Sequence, residues 1–178
     1  MGEIGLPDIQ RPFVWPTSKV RDLFDSMYRG YPIGYLLFWE NGYPGEHRVI
    51  GANQKQKVPR LLIVDGQQRL TSLYAVIKAV PVVGKNFRAH HIRIAFHPRE
   101  EKLEVTNPAI EKDAEWISDI RGLWKPETNT FTFVNAFLQR LKEGHDVSGD
   151  KEDAIVNAIT QLEKLLDYPL TFWRSRLL

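Results

Sequence analysis

The sequence contains no cysteine among its 178 residues. This absence excludes disulfide bonds, thiolate catalysis and cysteine-ligated metal sites. No stretch approaches the roughly 20 consecutive apolar residues that a membrane-spanning helix needs, and the N-terminus has no signal-like apolar core. We therefore expect a cytoplasmic protein that has no membrane segment.

The chain also lacks a strong net charge, since its formal value is only +2. The charges are nevertheless segregated, because no acidic residue occurs from His47 to Val64 or from Lys85 to Arg99. Clustered cations can form a basic face on a neutral protein, and phosphate contacts need only positive charge and reach. The candidate DNA contacts are Arg48, Lys55, Lys57, Arg88 and Arg93. A solvated surface with chance clustering is the alternative.

Hydrophobic residues make up 43% of the chain, which is ordinary for a globular protein. Helix and strand patterns alternate in the first part. Apolar spacing predicts a helix that is capped by Thr17 or Ser18 and stops at Gly30. Its expected buried positions are Val20, Leu23, Phe24, Met27 and Tyr28. Strands are predicted over 35–39, which should be buried, and over 60–64 and 91–96. The last strand should pair with 102–105, and its residues alternate, with Ile92, Ile94 and Phe96 on one face and Arg93 and Ala95 on the other.

The second part of the sequence is mainly helical. A short helix is predicted over 114–124, and an extended segment begins at Tyr168. Two amphipathic helices are predicted between them. Their expected apolar stripes are Val134, Phe137, Leu138 and Leu141 over 132–143, and Ile155, Ile159, Leu162 and Leu166 over 151–167. The expected fold class is therefore α+β. We divide the chain into a domain over 1–107 and a mainly helical extension over 108–178, which we expect to continue in a longer protein.

The stretch LLIVDGQQRLTSLYAVI, residues 61–77, joins a buried strand to a helix through polar residues. Apolar residues at 3.6-residue spacing predict that the helix buries Leu70, Leu73, Tyr74 and Ile77. A strand, a glycine turn and a helix N-terminus together form a cradle for an anion such as phosphate. The alternative is that Asp65 simply caps the helix and that the glutamines lie on the surface. The pattern is not a Walker loop, because the lysine of that motif is missing.

In such a cradle, each polar residue has a chemical task. The backbone amides of Gly66, Gln67 and Gln68 face phosphate oxygens, and Arg69 can add a bidentate contact. Asp65 can hold a divalent cation that bridges phosphates, or orient a water molecule. Either glutamine can position an attacking water. Asp65, Gln67 and Gln68 are therefore the candidate catalytic residues, and Asp65 is the candidate metal ligand.

Three segments resemble a known family. Asp65 to Arg69 resembles the DGQQR motif of the GmrSD-type restriction proteins. Ile9 to Trp15 (IQRPFVW) resembles their Q-R-x-aromatic-x-W block, and Arg29 to Gly34 (RGYPIG) resembles their G-aromatic-P-[IV]-G block. The resemblance covers residues 6–80 and depends on three blocks in the family's order.

The resemblance implies a ParB/sulfiredoxin-like fold, in which a small mixed sheet with flanking helices binds a nucleotide at the motif. It implies nucleoside triphosphate (NTP) hydrolysis with Mg²⁺, coupled to cleavage of phage DNA that carries modifications. Asp65 to Arg69 would then form the nucleotide and catalytic loop. Gln10 and Arg11 would be a second nucleotide-binding pair that faces this loop.

The chain has no recognisable HNH nuclease pattern. We therefore expect the nuclease module elsewhere in the same polypeptide or in a partner chain. Two other interpretations stay open. The chain can be a non-catalytic DNA-binding or sensor module, in which the motif grips a DNA phosphate. It can also be a ParB-like DNA nuclease that acts at the motif itself.

Overall fold

The computed structural model describes residues 4–5, 13–40, 61–84 and 86–176. Several candidate residues from the sequence lie outside these ranges. They are Gln10, Arg11, Arg48, Lys55 and Lys57. Their proposed roles stay predictions.

A four-stranded sheet carries the motif segment. Its strands are β1 (Ile4–Gly5), β2 (Leu36–Glu40), β3 (Leu61–Asp65) and β8 (Phe172–Arg176), in the order β1-β3-β2-β8. Strand β3 is antiparallel to β2 and parallel to β1, and β8 is parallel to β2. The C-terminal strand therefore lies in the same sheet as the motif.

Strands β2 and β3 confirm two of the predicted strands, within one residue at each end. Only one face of this sheet is buried, however. Leu36, Phe38 and Ile63 form a small apolar cluster, while Trp39 and Val64 are exposed. The apolar run over 35–39 therefore does not form the fully buried strand that its composition indicated.

Helix α1 (Thr17–Tyr28) buries all of its predicted apolar positions. The predicted cap is wrong, because the residue that precedes the helix is Pro16 and no side chain caps the first turn. Proline fixes an extended backbone there, with φ −66° and ψ 153°, so that the helix starts directly after it. Gly30 ends the helix as predicted, with φ at +72°.

Helix α2 (Gln67–Ile77) follows the motif and buries Ser72, Leu73, Ala75 and Val76. Tyr74, which the spacing placed in the core, is exposed. The small side chains at 72 and 75 let the helix approach the core closely on that side, which turns Tyr74 outward.

Two short hairpins follow. The first pairs β4 (Val82–Val83) with β5 (Ala89–His90), and the second pairs β6 (Ile94–His97) with β7 (Lys102–Val105). The predicted pairing with 102–105 is confirmed. The expected alternation over 91–96 is wrong, because every residue of β6 is buried.

The segment 114–124 is mostly not the predicted helix. Ile117 forms a β-bridge with Phe96, and only Ile120–Trp124 is helical, as a 3₁₀ turn. The bridge explains why β6 is buried on both faces. The short helix α3 (Pro108–Lys112) was not predicted, although Asn107 caps it by accepting hydrogen bonds from two amides and Pro108 opens its first turn.

Helices α4 (Thr130–Lys142) and α5 (Asp150–Glu163) confirm the two amphipathic predictions. Their buried residues include Phe137 and Leu141 on α4 and Ile155 and Ile159 on α5. The last predicted position of the second stripe is wrong, because Leu166 is exposed and its neighbour Leu165 is buried. The chain tightens into a 3₁₀ turn over Lys164–Asp167, which shifts the buried position by one residue.

The α+β class is confirmed by this arrangement of helices and small sheets. The largest cluster of buried apolar residues draws on both parts of the chain, with Phe24 and Phe96 on one side of residue 107 and Leu141 and Ile159 on the other. Packing therefore marks no boundary near residue 107, and the division of the chain there stays a prediction. The ParB/sulfiredoxin-like assignment also stays a prediction. Over the ranges that the structure describes, no helix is long and apolar enough to cross a membrane.

Candidate functional site

The polar motif lies where β3 ends and α2 begins. Asp65 is the last strand residue, Gly66 forms the turn and Gln67 starts the helix. Gly66 has φ at +90°, in the left-handed region that favours glycine. A Cβ atom at this position would collide with the side chain of Leu36 on the neighbouring strand. Both the backbone conformation and the neighbouring side chain therefore favour glycine at this turn, as the sequence predicted.

The N-terminus of α2 has no side-chain cap among the described residues. The alternative in which Asp65 caps the helix is therefore not what the structure shows. The Asp65 side chain is instead 71% exposed and forms an ion pair with Arg69, with 3.0 Å between Oδ2 and Nη2. In the first helical turn, N–H groups lack intrahelical acceptors and the helix dipole is positive. This turn thus lies beside an exposed carboxylate.

Arg69 is held from two sides. Its Nη1 donates a hydrogen bond of 2.8 Å to the carbonyl oxygen of Ile33, while Nη2 contacts Asp65, and its side chain is only 15% exposed. Gly34 lies against the same guanidinium, since a Cβ atom there would be 2.7 Å from Nη1. Gly34 also has φ at +85°. The RGYPIG segment therefore makes a turn that receives the arginine of the motif.

Gln68 connects the motif to the first of the three blocks. Its Oε1 accepts a hydrogen bond of 2.9 Å from the backbone N–H of Val14, which belongs to the IQRPFVW segment. Its own carbonyl accepts a hydrogen bond from Ser72 Oγ. The described parts of all three blocks thus meet at two side chains of the motif. The sequence indicated a ligand role for Gln68 and Arg69, but nothing in it indicated that both side chains also join the blocks.

A shallow groove of about 650 Å³ begins at Val14. One wall is the segment 13–16 and the other is the β4–β5 hairpin, with the Phe13 N–H bonded to the Val83 carbonyl at 3.1 Å. The residues that line it are Phe13, Val14, Trp15, Pro16, Gly84, Asn86, Arg88, Ala89 and His90. Trp15 packs against the main core and carries Lys19 Nζ over its ring, 4.5 Å from the centroid.

The two described candidates for DNA contact lie in different settings. Arg88 lines the groove and is exposed. Arg93 forms ion pairs with Glu111 at 2.5 Å and with Asp119 at 3.4 Å. Because two carboxylates already compensate its charge, Arg93 is less suited to a phosphate contact than Arg88.

Within the described ranges, no group of three or more histidine, aspartate and glutamate residues could hold a metal ion. A Mg²⁺ ion bound together with nucleotide phosphates needs only one or two protein carboxylates, since phosphates and water complete its shell. The exposed carboxylate of Asp65, beside the open helix end, fits that requirement. A single exposed carboxylate of this kind meets the requirement of a nucleotide-bound cation and not that of a metal held by protein alone.

Comparison with known proteins agrees with the block pattern. The family model described as GmrSD restriction endonuclease, N-terminal domain, matches residues 2–172. The uncharacterized protein MJ0686 of Methanocaldococcus jannaschii is 39% identical over 85 residues, which is 43% of this chain and 15% of that protein. The chain therefore corresponds to a small share of that relative's length. Because the match covers the motif, strands β1 to β3 of its sheet and the helices that follow, the chain belongs to the family of GmrSD restriction endonuclease N-terminal domains, a family of restriction-system proteins.

Proposed function

We propose that this domain binds an NTP together with Mg²⁺ at the β3–α2 junction and hydrolyses it. The observation that carries the proposal is the junction itself. An uncapped helix N-terminus, a glycine turn and the exposed Asp65 carboxylate lie next to one another. This combination suits a polyphosphate, because the amides face phosphate oxygens and the carboxylate faces their cation.

Each residue of the motif has a separate role in the proposal. The absence of a side chain at Gly66 lets a phosphate approach the backbone closely. Asp65 holds Mg²⁺, which when bound neutralises charge on the phosphates, and Gln67 positions the attacking water. Gln68 fixes the segment at Val14. Arg69 orients Asp65 and anchors Ile33, and a bidentate phosphate contact would require it to give up one of these bonds.

In the restriction system, hydrolysis would regulate or power the cleavage of phage DNA by a nuclease module in the same or a partner chain. The family match supports this setting. The rate of cleavage would then depend on the nucleotide state of this domain.

The test is hydrolysis of ATP, GTP, CTP and UTP by the purified chain, with and without Mg²⁺. Asp65→Ala and Asp65→Asn should abolish Mg²⁺-dependent hydrolysis of the preferred nucleotide. The matched control is Asp146→Ala, which removes an exposed aspartate from the loop between α4 and α5. The control should hydrolyse like the wild type. Equal rates in the wild type and both Asp65 variants would overturn the proposal.

The second candidate function is a non-catalytic DNA-binding module. The groove favours it, because Arg88 and His90 lie in its walls and none of the lining residues that the structure describes is acidic. This function predicts DNA binding that weakens with salt and with Arg88→Ala, and no nucleotide hydrolysis. Hydrolysis that depends on Asp65 would show that the domain is catalytic and would exclude this second function.

A further inference from the structure

The turn that receives Arg69 has little packing of its own. Every residue from 29 to 35 except Ile33 is exposed. Gly30 and Gly34 stand on either side of its centre, both with positive φ. Because glycine tolerates many backbone conformations, the chain between two glycines is not fixed by its own geometry. Hydrogen bonds from neighbouring elements are therefore needed to hold the turn in one position.

Two side chains from the C-terminal part of the chain supply such bonds. Gln161 Nε2 on α5 donates to the Tyr28 carbonyl at 2.9 Å, where the turn begins. The Tyr168 hydroxyl donates to the Tyr31 carbonyl at 2.8 Å, in the middle of the turn. Since the Tyr31 side chain is itself 59% exposed, this bond through its backbone is the contact that ties residue 31 to the rest of the domain on that side.

Tyr168 is well placed to act as an anchor. It directly follows the 3₁₀ turn Lys164–Asp167, and its ring packs against the large apolar core. A ring that is held by the core carries its hydroxyl at a fixed point. After Tyr168 the chain runs alongside the turn into β8, and the Thr171 carbonyl accepts a hydrogen bond of 3.0 Å from the Leu36 N–H. The C-terminal segment thus contacts the turn from its start to the first residue of β2.

The other side of the same turn bears on the motif. The Ile33 carbonyl, two residues after the one that Tyr168 contacts, accepts the hydrogen bond from Arg69 Nη1. Gly34 lies against the guanidinium, and Nη2 of that group pairs with Asp65. A shift of the turn would therefore move the guanidinium, and with it the Asp65 carboxylate.

We propose that Tyr168 is a positioning residue for the site at the β3–α2 junction. Its hydroxyl holds the turn, the turn holds the Arg69 guanidinium, and the guanidinium orients the Asp65 carboxylate. The inference rests on the proposed function, in which Asp65 holds Mg²⁺ with the nucleotide. It extends the site to a residue in the part of the chain that the sequence assigned to a helical extension.

The test uses Tyr168→Phe, which keeps the packed ring and removes only the hydroxyl. In the NMR spectrum of the free chain, the Arg69 Nε–Hε resonance should move, because the guanidinium shifts with the turn. In hydrolysis of the preferred NTP, the Mg²⁺ concentration at half-maximal rate should rise about fivefold, as expected for the loss of about one net hydrogen bond. A residue that only stabilises the fold would lower the melting temperature and leave this Mg²⁺ requirement unchanged.

Thr128→Val is the matched control. Thr128 Oγ1 also donates to a backbone carbonyl, that of Gly122, at 2.8 Å, but it lies just before α4 and makes no contact with the turn. The control should lose stability to a similar degree, while its Arg69 resonance and its Mg²⁺ requirement stay those of the wild type. Thermal melting verifies that both variants fold.

Each outcome decides a separate point. An unmoved Arg69 resonance in folded Tyr168→Phe would overturn the positioning role, whether or not the wild type hydrolyses an NTP. A moved resonance with an unchanged Mg²⁺ requirement would overturn the link from the turn to Asp65. A moved resonance in a chain whose wild type hydrolyses no NTP would support the positioning of Arg69 and overturn only the proposed NTPase activity.

Discussion

The guanidinium of Arg69 donates a hydrogen bond of 2.8 Å to the carbonyl oxygen of Ile33, thirty-six positions earlier in the chain. The same group contacts Asp65 at 3.0 Å. A single side chain of the motif therefore anchors a turn of another segment and orients the carboxylate that we assign to the cation. In this domain, the residues that build the site and those that would act on the ligand are partly the same.

Replacing Arg69 should first affect stability. Arg69→Ala removes a mostly buried donor and leaves the Ile33 carbonyl without it, which should lower the free energy of unfolding by about 1–3 kcal/mol. Arg69→Lys should recover little, because one ammonium cannot reproduce the fork. Urea unfolding measures both variants. The exposed Arg88→Ala, expected within about 0.5 kcal/mol of wild type, is the control. A stable Arg69→Ala chain would refute this structural role.

Alanine substitutions at three glycines with positive φ distinguish the free-energy cost of backbone strain from that of steric collision. Gly30→Ala should cost about 1–2 kcal/mol through strain alone, since nothing lies within 4 Å of its Cβ position. Gly34→Ala must also displace the Arg69 guanidinium, and Gly66→Ala must displace Leu36. Both should therefore cost more than Gly30→Ala in thermal or urea unfolding. Gly144→Ala, which has open space and no positive φ, should be nearly neutral. Equal losses at all four positions would contradict the proposed packing.

Two substitutions of Gln68 distinguish a positioning role from a catalytic role. Gln68→Ala should lower both stability and hydrolysis, because Val14 loses its hydrogen-bond acceptor. Gln68→Glu keeps an acceptor oxygen and should restore most of the stability. If Gln68 only positions Val14, then Gln68→Glu also restores kcat, as we expect. If kcat stays low in a stable Gln68→Glu chain, Gln68 acts on the water and our assignment of that task to Gln67 is wrong.

Alkaline pH should weaken the core at Tyr28. Burial, and then its hydrogen bond of 3.0 Å to Glu101, raise the pKa of the Tyr28 hydroxyl well above its ordinary value. Because the pKa is higher in the folded chain, the protonated Tyr28 hydroxyl stabilises the fold. This stabilisation is complete below about pH 10, the pKa of an unfolded tyrosine, and is lost as the pH rises beyond it toward the pKa of the folded chain. Urea unfolding at pH 8 and pH 10.5 should show a larger loss for the wild type than for Tyr28→Phe. Equal losses in the two chains would contradict the shift.

The buried positions were predicted most accurately for helices that pack one face against the large apolar core. The α1 and α4 stripes were correct in every position, because bulky residues repeat at helical spacing and nothing competes for them. In α2 the periodicity failed at Tyr74, since small residues at 72 and 75 decide which side approaches the core. The bridge from Ile117 to Phe96 was likewise invisible, because a long-range β-bridge leaves no local pattern.

For the candidate site, the sequence indicated the strand, the glycine turn and the helix start. It did not indicate that Gln68 and Arg69 bind the other two blocks, because hydrogen bonds to the backbone carbonyl of Ile33 and the amide of Val14 depend only on the fold. The groove is also a product of the fold, since its walls come from segments about seventy residues apart.

The central claim, that an NTP binds at the β3–α2 junction, is tested most directly by NMR. The backbone amide resonances of the chain are followed while a non-hydrolysable NTP analogue is added with Mg²⁺. We predict that the largest shifts fall on Gly66, Gln67 and Gln68 and that Asp65→Asn weakens them. Shifts that concentrate on α4 or α5, or no shift at saturating analogue, would contradict the account.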